Sequence, residues 1–248
     1  MVYRIAAAIS ERCVSIHLYL VDPDTVEPQN TARQCFSDIE ADYRLNKAEA
    51  LALRYALAWR RPNIQLTALA KPFDPAWIHH PYGNRNLTVL LGCVDNFHAR
   101  CSIQQALPSN SFYSLPACWW IDAGNEATYG QVLIGSSLST DPAAYTASDL
   151  GFARLPAPSL QAPDLLQPPP QAPQPTPSIS CAELAVMNTQ SITINAWSAT
   201  AMADLLKDLL LGKLNRLAVF FDQQTGVLRS CYSTPAEIQA ALAQSACQ

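Results

Sequence analysis

The sequence predicts an α/β protein built on an open sheet, and three observations support this prediction. Strand-like and helix-like segments alternate throughout residues 1–136. Two predicted strands, at 14–21 and 87–94, are nearly continuous apolar runs, as is typical of strands buried in a parallel sheet. With 248 residues, 49% of them hydrophobic, the chain is long enough for one sizeable domain and an appendage.

Apolar periodicity and stop signals predict the individual elements. Residues 1–12 place Ile5 and Ile9 on one helical face, and residues 47–59 form a second amphipathic helix that Pro62 stops. The rest of this region is predicted as a polar loop at 28–38, a strand at 64–69, a loop at 72–86, a helix at 97–107, and strands at 117–121 and 129–134 around a turn at 124–125.

Composition divides the chain into three parts. Nine of the nineteen prolines fall within residues 155–178, which predicts a semi-extended linker or surface strap that cannot form a helix. We therefore expect an α/β domain at 1–154, this linker, and a small α+β extension at 179–248. The extension is predicted to hold a helix at 195–211, a hairpin at 217–232 and a last helix at 235–246.

Charge and cysteine spacing exclude several classes of protein. The net charge of −4 offers no basic surface for nucleic acid, and no run is long and apolar enough to span a bilayer. None of the eight cysteines forms a CxxC pair, so the spacing of structural zinc sites is absent. Reduced, mostly buried thiols are the expected state, which predicts a cytoplasmic protein.

Two of the predicted strands end in carboxylates, at Asp22 and Asp95. Ligands of open α/β sheets bind at the carboxyl ends of the strands, where one acid can accept hydrogen bonds from ribose and another can bind Mg²⁺. Either residue could instead be an ordinary turn aspartate.

The surrounding residues favour the first interpretation. The run VDPDTVEPQNTARQ at 21–34 resembles the D-x-D-x-V-x-x-x-N-x-x-R-Q segment of the ThiF/MoeB/E1 adenylating family, with Thr31 in place of the usual apolar residue. The run CVDNFHAR at 93–100 is similar to the family's C-x-D-N-x-x-x-R. The resemblance implies a Rossmann-like open sheet of the ThiF/E1 type.

The resemblance also implies roles for individual residues. Asp22 would bind the ribose, with Asp24 beside it, and Asp95 would bind Mg²⁺. The residues expected to line the phosphate region are Asn30, Arg33, Gln34, Lys47, Asn96 and Arg100. The implied cofactors are ATP and Mg²⁺.

The implied reaction is the adenylation of a ubiquitin-like protein at its C-terminal carboxylate. Because a carboxylate must approach the α-phosphate of ATP, two anions are brought together. Arg33 and Lys47 would offset their repulsion, and Mg²⁺ near Asp95 would withdraw charge from pyrophosphate. These three residues are the expected catalytic set.

Two later segments resemble a more specific group of proteins within the family. WWIDAGNEATYGQVLIG at 119–135 and the tail beginning SCAELAVMNTQ look similar to ThiF-like proteins of the PRTRC cassettes of bacterial mobile elements. Those cassettes encode a small ubiquitin-like protein, which the resemblance implies as the partner. It also implies a homodimer.

The phosphate-binding glycine loop of the family, GxGGxG after a first strand, is absent from the sequence. Residues 1–12 correspond to the helix that should follow this loop. We expect either a start assigned too far downstream or a chain that has lost its first strand and loop. As written, the chain is expected to bind ATP poorly.

Several alternatives stay open. A non-catalytic E1-like subunit that docks a ubiquitin-like protein is the second hypothesis, and a dinucleotide oxidoreductase is a weak third. Cys181 is the most exposed-looking thiol for a thioester, although a buried or idle thiol is the alternative. The pair His79 and His80 is interpreted as surface loop. Asp122 and Asn125 could line the cleft or form a turn.

Overall fold

The computed structural model describes residues 1–10, 15–31, 34–59, 61–78, 87–108, 118–145, 147–148, 151–152, 154–168 and 192–246. The chain forms two compact units, Met1–Asp74 and Pro75–Gln248. Each unit is described by itself.

The N-terminal unit is a two-stranded parallel sheet with helices packed on it. Its elements are α1 (Val2–Ser10), β1 (Ile16–Val21), α2 (Pro28–Thr31), α3 (Asp38–Asp42), α4 (Lys47–Ala58) and β2 (Ile64–Leu69). The strands pair in register from Ile16–Ile64 to Val21–Leu69. Helix α4 contacts both strands, as expected for the crossover of a βαβ unit.

The larger unit is organised around a five-stranded sheet. Its elements are β3 (Thr88–Gly92), α5 (Phe97–Gln105), β4 (Cys118–Asn125), β5 (Tyr129–Gly135), the two-residue strands β6 (Ala147–Ser148) and β7 (Gly151–Phe152), α6 (Pro158–Gln161), α7 (Ile192–Leu210), β8 (Arg216–Asp222), β9 (Val227–Tyr232) and α8 (Pro235–Ala246).

The sheet has the order β3-β4-β5-β8-β9. Strands β3 and β4 pair in parallel, and each later neighbour pairs antiparallel. Helix α7 packs on β4 and β5, and α6 also contacts both strands. Trp120 and Ile121 are both fully buried, although consecutive residues of a strand point to opposite faces. The centre of the sheet is therefore covered on both faces.

The predicted α/β class is confirmed, and most elements agree with their predicted bounds. Strand β2 and helix α8 match at both ends, and the other strands and long helices match within a few residues. Two predictions were wrong. The segment 28–38 contains α2 and the start of α3 rather than only loop, and β4 continues through Gly124 and Asn125, so that its turn falls at 126–128.

The proline-rich segment also differs from its prediction where it is described. Residues 158–161 form α6 and Pro163–Leu166 a 3₁₀ turn, because proline is well accommodated in the first turn of a helix. Leu155, Ala157 and Gln161 are buried. Residues 155–161 are therefore part of the core, whereas 169–191 lie outside the described residues.

The C-terminal hairpin shares the main sheet, because β8 pairs with β5 from Tyr129–Asp222 to Leu133–Ala218. The predicted bounds at 154 and 178 remain predictions, and the two compact units divide between Asp74 and Pro75. Among the described helices, none is long and apolar enough to cross a membrane.

Candidate functional site

The carboxyl end of β1 carries the first group of predicted site residues. Asp22 follows the strand, and its backbone N–H donates to the carbonyl of Leu69 at 3.2 Å. Its carboxylate Oδ1 accepts from the backbone N–H of Asp24 at 2.9 Å. The aspartate therefore closes a tight turn through its own side chain, as aspartates commonly do in loops. The turn directs the chain towards the start of α4.

Asn46 ties this turn to α4. Its Nδ2 donates to the carbonyls of Asp22 and Asp24 at 2.8 and 2.9 Å. Its Oδ1 accepts from the N–H groups of Ala48 and Glu49 at 2.9 and 3.1 Å and so caps the helix. A single buried amide thus fixes both the loop after β1 and the N-terminus of α4.

Lys47 lies at the first position of α4 and forms an ion pair within this group. Its Nζ is 3.1 Å from Oδ2 of Asp24, with 15% of the lysine side chain and 66% of the aspartate side chain exposed. The backbone N–H of Lys47 also donates to the carbonyl of Asp24 at 2.9 Å. The structure therefore brings Asp22, Asp24 and Lys47 together.

Asn30 lies in α2 and organises the middle of the predicted nucleotide segment. It is 4% exposed, and its Oδ1 accepts from the backbone N–H of Glu27 at 2.9 Å. Its carbonyl accepts from the N–H of Gln34, which is exposed, at 2.8 Å. Arg33 lies outside the described residues, so its predicted role stays a prediction.

An ion pair anchors the end of this segment. Arg54 on α4 contacts both carboxylate oxygens of Glu40 at 2.6 and 2.7 Å and donates to the carbonyl of Cys35 at 2.5 Å. Burial opposes ionisation of Glu40, but hydrogen bonds from Ser37 and Arg54 outweigh it and lower the pKa of this carboxyl. The backbone just after residue 33 is therefore fixed to α4.

The second group of predicted residues follows β3. Asp95 and Asn96 are both exposed, and Nδ2 of Asn96 donates to Oδ1 of Asp95 at 3.3 Å. The Oδ1 atom of Asn96 caps α5 by accepting from the N–H of Ala99 at 2.9 Å. The Asp95 carboxylate thus stands at a strand end and a helix start.

Arg100 is a mostly buried side chain that donates hydrogen bonds to other groups of the protein. Its Nε donates to both carboxylate oxygens of Asp122 on β4, at 3.1 and 3.3 Å, and its Nη2 donates to the carbonyl of Val94 at 2.8 Å. The side chains of Arg100 and Asp122 are 12% and 1% exposed. Its predicted part in nucleotide binding stays a prediction.

The environment of Asp122 is strongly perturbed. Burial raises the pKa of this carboxyl to about 6, against the opposing effect of the charge and hydrogen bonds of Arg100. Gly92 is its partner in the β3–β4 register, and a Cβ atom at position 92 would lie 2.6 Å from Oδ1 of Asp122. The glycine therefore makes room for the buried carboxylate.

The predicted residues thus form two groups, one in each compact unit. Asp22, Asp24, Asn30 and Lys47 belong to the N-terminal unit, and Asp95, Asn96 and Arg100 to the larger one. No group of three or more His, Cys, Asp or Glu side chains suited to a metal occurs in the part of the chain that is described. Cys181, His79 and His80 lie outside that part.

Sequence reasoning missed Asn46 and the role of Asp122. An asparagine directly before an amphipathic helix is a recognisable cap, so Asn46 could have been found. The sequence predicts Asn125 as a cleft or turn residue, but it lies in β4, and its amide contacts Asn195 and Ser198 of α7. Nothing in the sequence indicates the pairing of Asp122 with a residue 22 positions earlier.

Comparison with known proteins identifies the family. A family model described as the ThiF family matches residues 14–224. The chain belongs to the ThiF family. No protein with a curated description matches it.

Two solved structures resemble this ThiF protein. The crystal structure of E. coli MccB shares 16% identity over 92% of this chain and 58% of its own, with a TM-score of 0.48. The structure of PaaA, determined with selenomethionine, shares 17% identity over 87% and 56%, with a TM-score of 0.47. The chain therefore spans less than three fifths of either protein.

Proposed function

We propose that this ThiF protein adenylates the C-terminal carboxylate of a ubiquitin-like protein with MgATP. Proteins of the ThiF family generally bind ATP, typically with Mg²⁺, and generally engage ubiquitin-like proteins. The observation that supports the proposal best is the fixed loop after β1, which gathers Asp22, Asp24 and Lys47 at the carboxyl end of a parallel strand.

The N-terminal unit would bind the nucleotide. Asp22 would accept hydrogen bonds from the ribose hydroxyls. Lys47 would neutralise a phosphate after exchanging its present partner Asp24, which is largely exposed and can rotate into solvent. Arg33 would supply a second positive charge, and Asn30 and Gln34 would shape the loop that carries it.

The larger unit would hold the metal. Carboxylate oxygen is the ligand type that Mg²⁺ prefers, and one or two carboxylates with substrate phosphates are its usual protein-bound set. Asp95 fits this chemistry, because its exposed carboxylate lies at the end of β3 beside a helix start. When bound there, Mg²⁺ would stabilise the charge on pyrophosphate.

The reaction requires little from the protein beyond positioning and charge. A carboxylate oxygen of the partner attacks the α-phosphorus and forms a new oxygen–phosphorus bond. The bond from the α-phosphorus to the bridging oxygen breaks, and pyrophosphate leaves with that electron pair. Arg33 and Lys47 lower the repulsion between the incoming carboxylate and the phosphates.

The finer parts of the proposal concern the partner and the setting. We propose a small ubiquitin-like protein encoded in the same bacterial PRTRC cassette, action as a homodimer, and a cytoplasmic location. A further transfer of the acyl group to the thiol of Cys181 would release AMP and leave a thioester.

Exchange of labelled pyrophosphate into ATP, measured with the ubiquitin-like partner present and with a GxGGxG loop restored to the chain, tests the proposal. We expect exchange that depends on the partner and disappears when its C-terminal carboxylate is replaced by a carboxamide. The substitutions Lys47→Gln and Asp95→Asn should each reduce exchange at least about a hundredfold, as loss of one electrostatic contact commonly does. Lys213→Gln is the matched control, because Lys213 is an exposed lysine outside both groups.

Two outcomes would contradict the proposal. Absence of exchange with a partner that binds tightly would favour the non-catalytic docking subunit. Exchange that survives the carboxamide partner would show that some other group is adenylated. Calorimetry of partner binding with and without ATP separates the docking subunit from a protein that does not recognise the partner.

A further inference from the structure

A carboxylate is buried in the middle of β4, among apolar side chains. Asp122 is 1% exposed and follows Trp120 and Ile121, which are fully buried. The absence of a side chain at Gly92 leaves the space that the carboxylate occupies. Burying a charged group is costly unless it is paired, so a specific arrangement must offset the cost.

Arg100 pairs with this carboxylate and also binds the loop after β3. Its Nε contacts Asp122, and its Nη2 donates to the carbonyl of Val94 at 2.8 Å. One planar guanidinium thus joins β4 to the residue directly before Asp95. A lysine could not bridge both positions in this way, because it has no rigid fork of donors.

The thiol of Cys93 contacts Sδ of Met202 on α7 at 3.7 Å, so the first residue of the loop has an attachment of its own. Over the next three residues apolar packing contributes little, because Asp95 and Asn96 are exposed and Val94 is only partly buried. The Asn96 cap orients the start of α5 but belongs to the same loop.

We propose that Asp122 is a positioning residue for the reaction, which acts through Arg100 to fix the 93–96 loop and the carboxylate of Asp95. This inference rests on the proposed function, since it assigns the loop its task of holding Mg²⁺ against ATP. A buried ion pair is weak as a source of net stability, but it can fix one geometry among several. Mutation of residues that orient a metal ligand typically lowers metal affinity or activity by roughly 10- to 100-fold.

The first measurement is hydrogen exchange on the full chain, which does not depend on catalysis. In Asp122→Asn, the guanidinium loses its charged partner, so the amides of residues 96–100 should exchange at least about tenfold faster. The matched control is Asp204→Asn, which weakens another ion pair of the same unit, between Asp204 and Arg216 at 2.6 Å, without touching the loop. Unchanged exchange at 96–100 in Asp122→Asn would overturn the inference.

The second measurement is the affinity for Mn²⁺ in the presence of ATP, followed by electron paramagnetic resonance. We expect the dissociation constant of Mn²⁺ to rise about tenfold or more in Asp122→Asn, by analogy with other residues that orient metal ligands, and to stay unchanged in Asp204→Asn. A loosened loop with unchanged Mn²⁺ affinity would overturn the role in the reaction.

Arg100→Lys keeps the charge but removes the fork, so it serves if Asp122→Asn does not fold. It should give the same two changes, and normal values for both would contradict the inference. Failure of the proposed function would be seen first in the unmodified protein, as absence of a protein-bound Mn²⁺–ATP complex. That result would contradict the role of Asp122 in the reaction. The hydrogen-exchange data would still decide whether Asp122 holds the loop.

Discussion

The two loops that carry the predicted site residues are held by opposite kinds of contact. The loop after β1 is fixed by the neutral amide of Asn46, and its ion pair joins Lys47, which is 15% exposed, to Asp24, which is 66% exposed. The loop after β3 is fixed by the buried ion pair between Arg100 and Asp122. Because water screens exposed charges and not buried ones, the same change in charge should have very different effects in the two places.

The largest difference should appear when one acid of each pair is removed. Asp122→Ala leaves a buried guanidinium without its counter-charge and should lower the free energy of unfolding by about 3–5 kcal/mol. Asp24→Ala removes an exposed partner and should cost less than about 1 kcal/mol. Urea unfolding followed by circular dichroism measures both. Similar losses in the two variants would show that the comparison is wrong.

The second largest difference between the two loops should be in the pH dependence of stability. The pKa of Asp122 is raised to about 6 in the folded state from an ordinary value of 3.8, so the folded state binds more protons between these two pH values. This contribution is fully present below about pH 4 and is lost as pH rises through about 6, with a total of about 3 kcal/mol. Urea unfolding at pH 4, 5, 6 and 7 should show this decline in the unmodified protein. Asp122→Asn should lack it, and an identical pH profile in that variant would assign the decline to other groups.

A smaller effect should follow from filling the space at Gly92. A Cβ atom there would lie 2.6 Å from the Asp122 carboxylate and 2.9 Å from Nε1 of Trp120, so Gly92→Ala should cost about 1–3 kcal/mol through overpacking. At Gly124, the nearest atom, Nη2 of Arg100, would be 3.4 Å away. Gly124→Ala is therefore the control and should be nearly neutral. Thermal unfolding followed by tryptophan fluorescence compares them, and equal effects would count against a steric role for Gly92.

The smallest effect should come from removing the side chain of Asn46, the neutral amide that fixes the loop after β1. Asn46→Ala removes the helix cap and the two bonds to the carbonyls of Asp22 and Asp24, which should cost about 1–2 kcal/mol. The loss should be the same in 0.1 and 1 M NaCl, because no charge is involved. Urea unfolding at both salt concentrations measures it. A loss that shrinks in high salt would mean that the Lys47–Asp24 pair depends on Asn46.

Elements with strong local signals could be predicted from the sequence. The prediction of α8 at 235–246 matches the structure at both ends, and α4 is predicted by a helical pattern that Pro62 stops. The short helices α2 and α3 were missed because four or five residues show no periodicity. The sequence Ser37-x-x-Glu40 nevertheless matches the capping box that the structure contains.

The sequence predicts which residues belong to the site but not the contacts that hold them in place. Local motifs located Asp22, Lys47 and Asp95, but the contacts that fix them come from tertiary pairing. Asp122 is one polar residue in an apolar strand, and its partner on α5 becomes apparent only once β3 and β4 are aligned. The burial of 155–161 was missed for a similar reason, since composition records how many prolines a segment has and not what packs on it.

Gly135 has a consequence for how sequences of relatives should be interpreted. A Cβ atom at this position would lie 1.8 Å from the carbonyl oxygen of Pro156, where the 155–157 backbone crosses the end of β5. Selection should therefore reject every larger residue at 135 regardless of the reaction catalysed. Invariance of this glycine among relatives, including any that have lost activity, would record a steric constraint and should not be counted as a sign of shared chemistry.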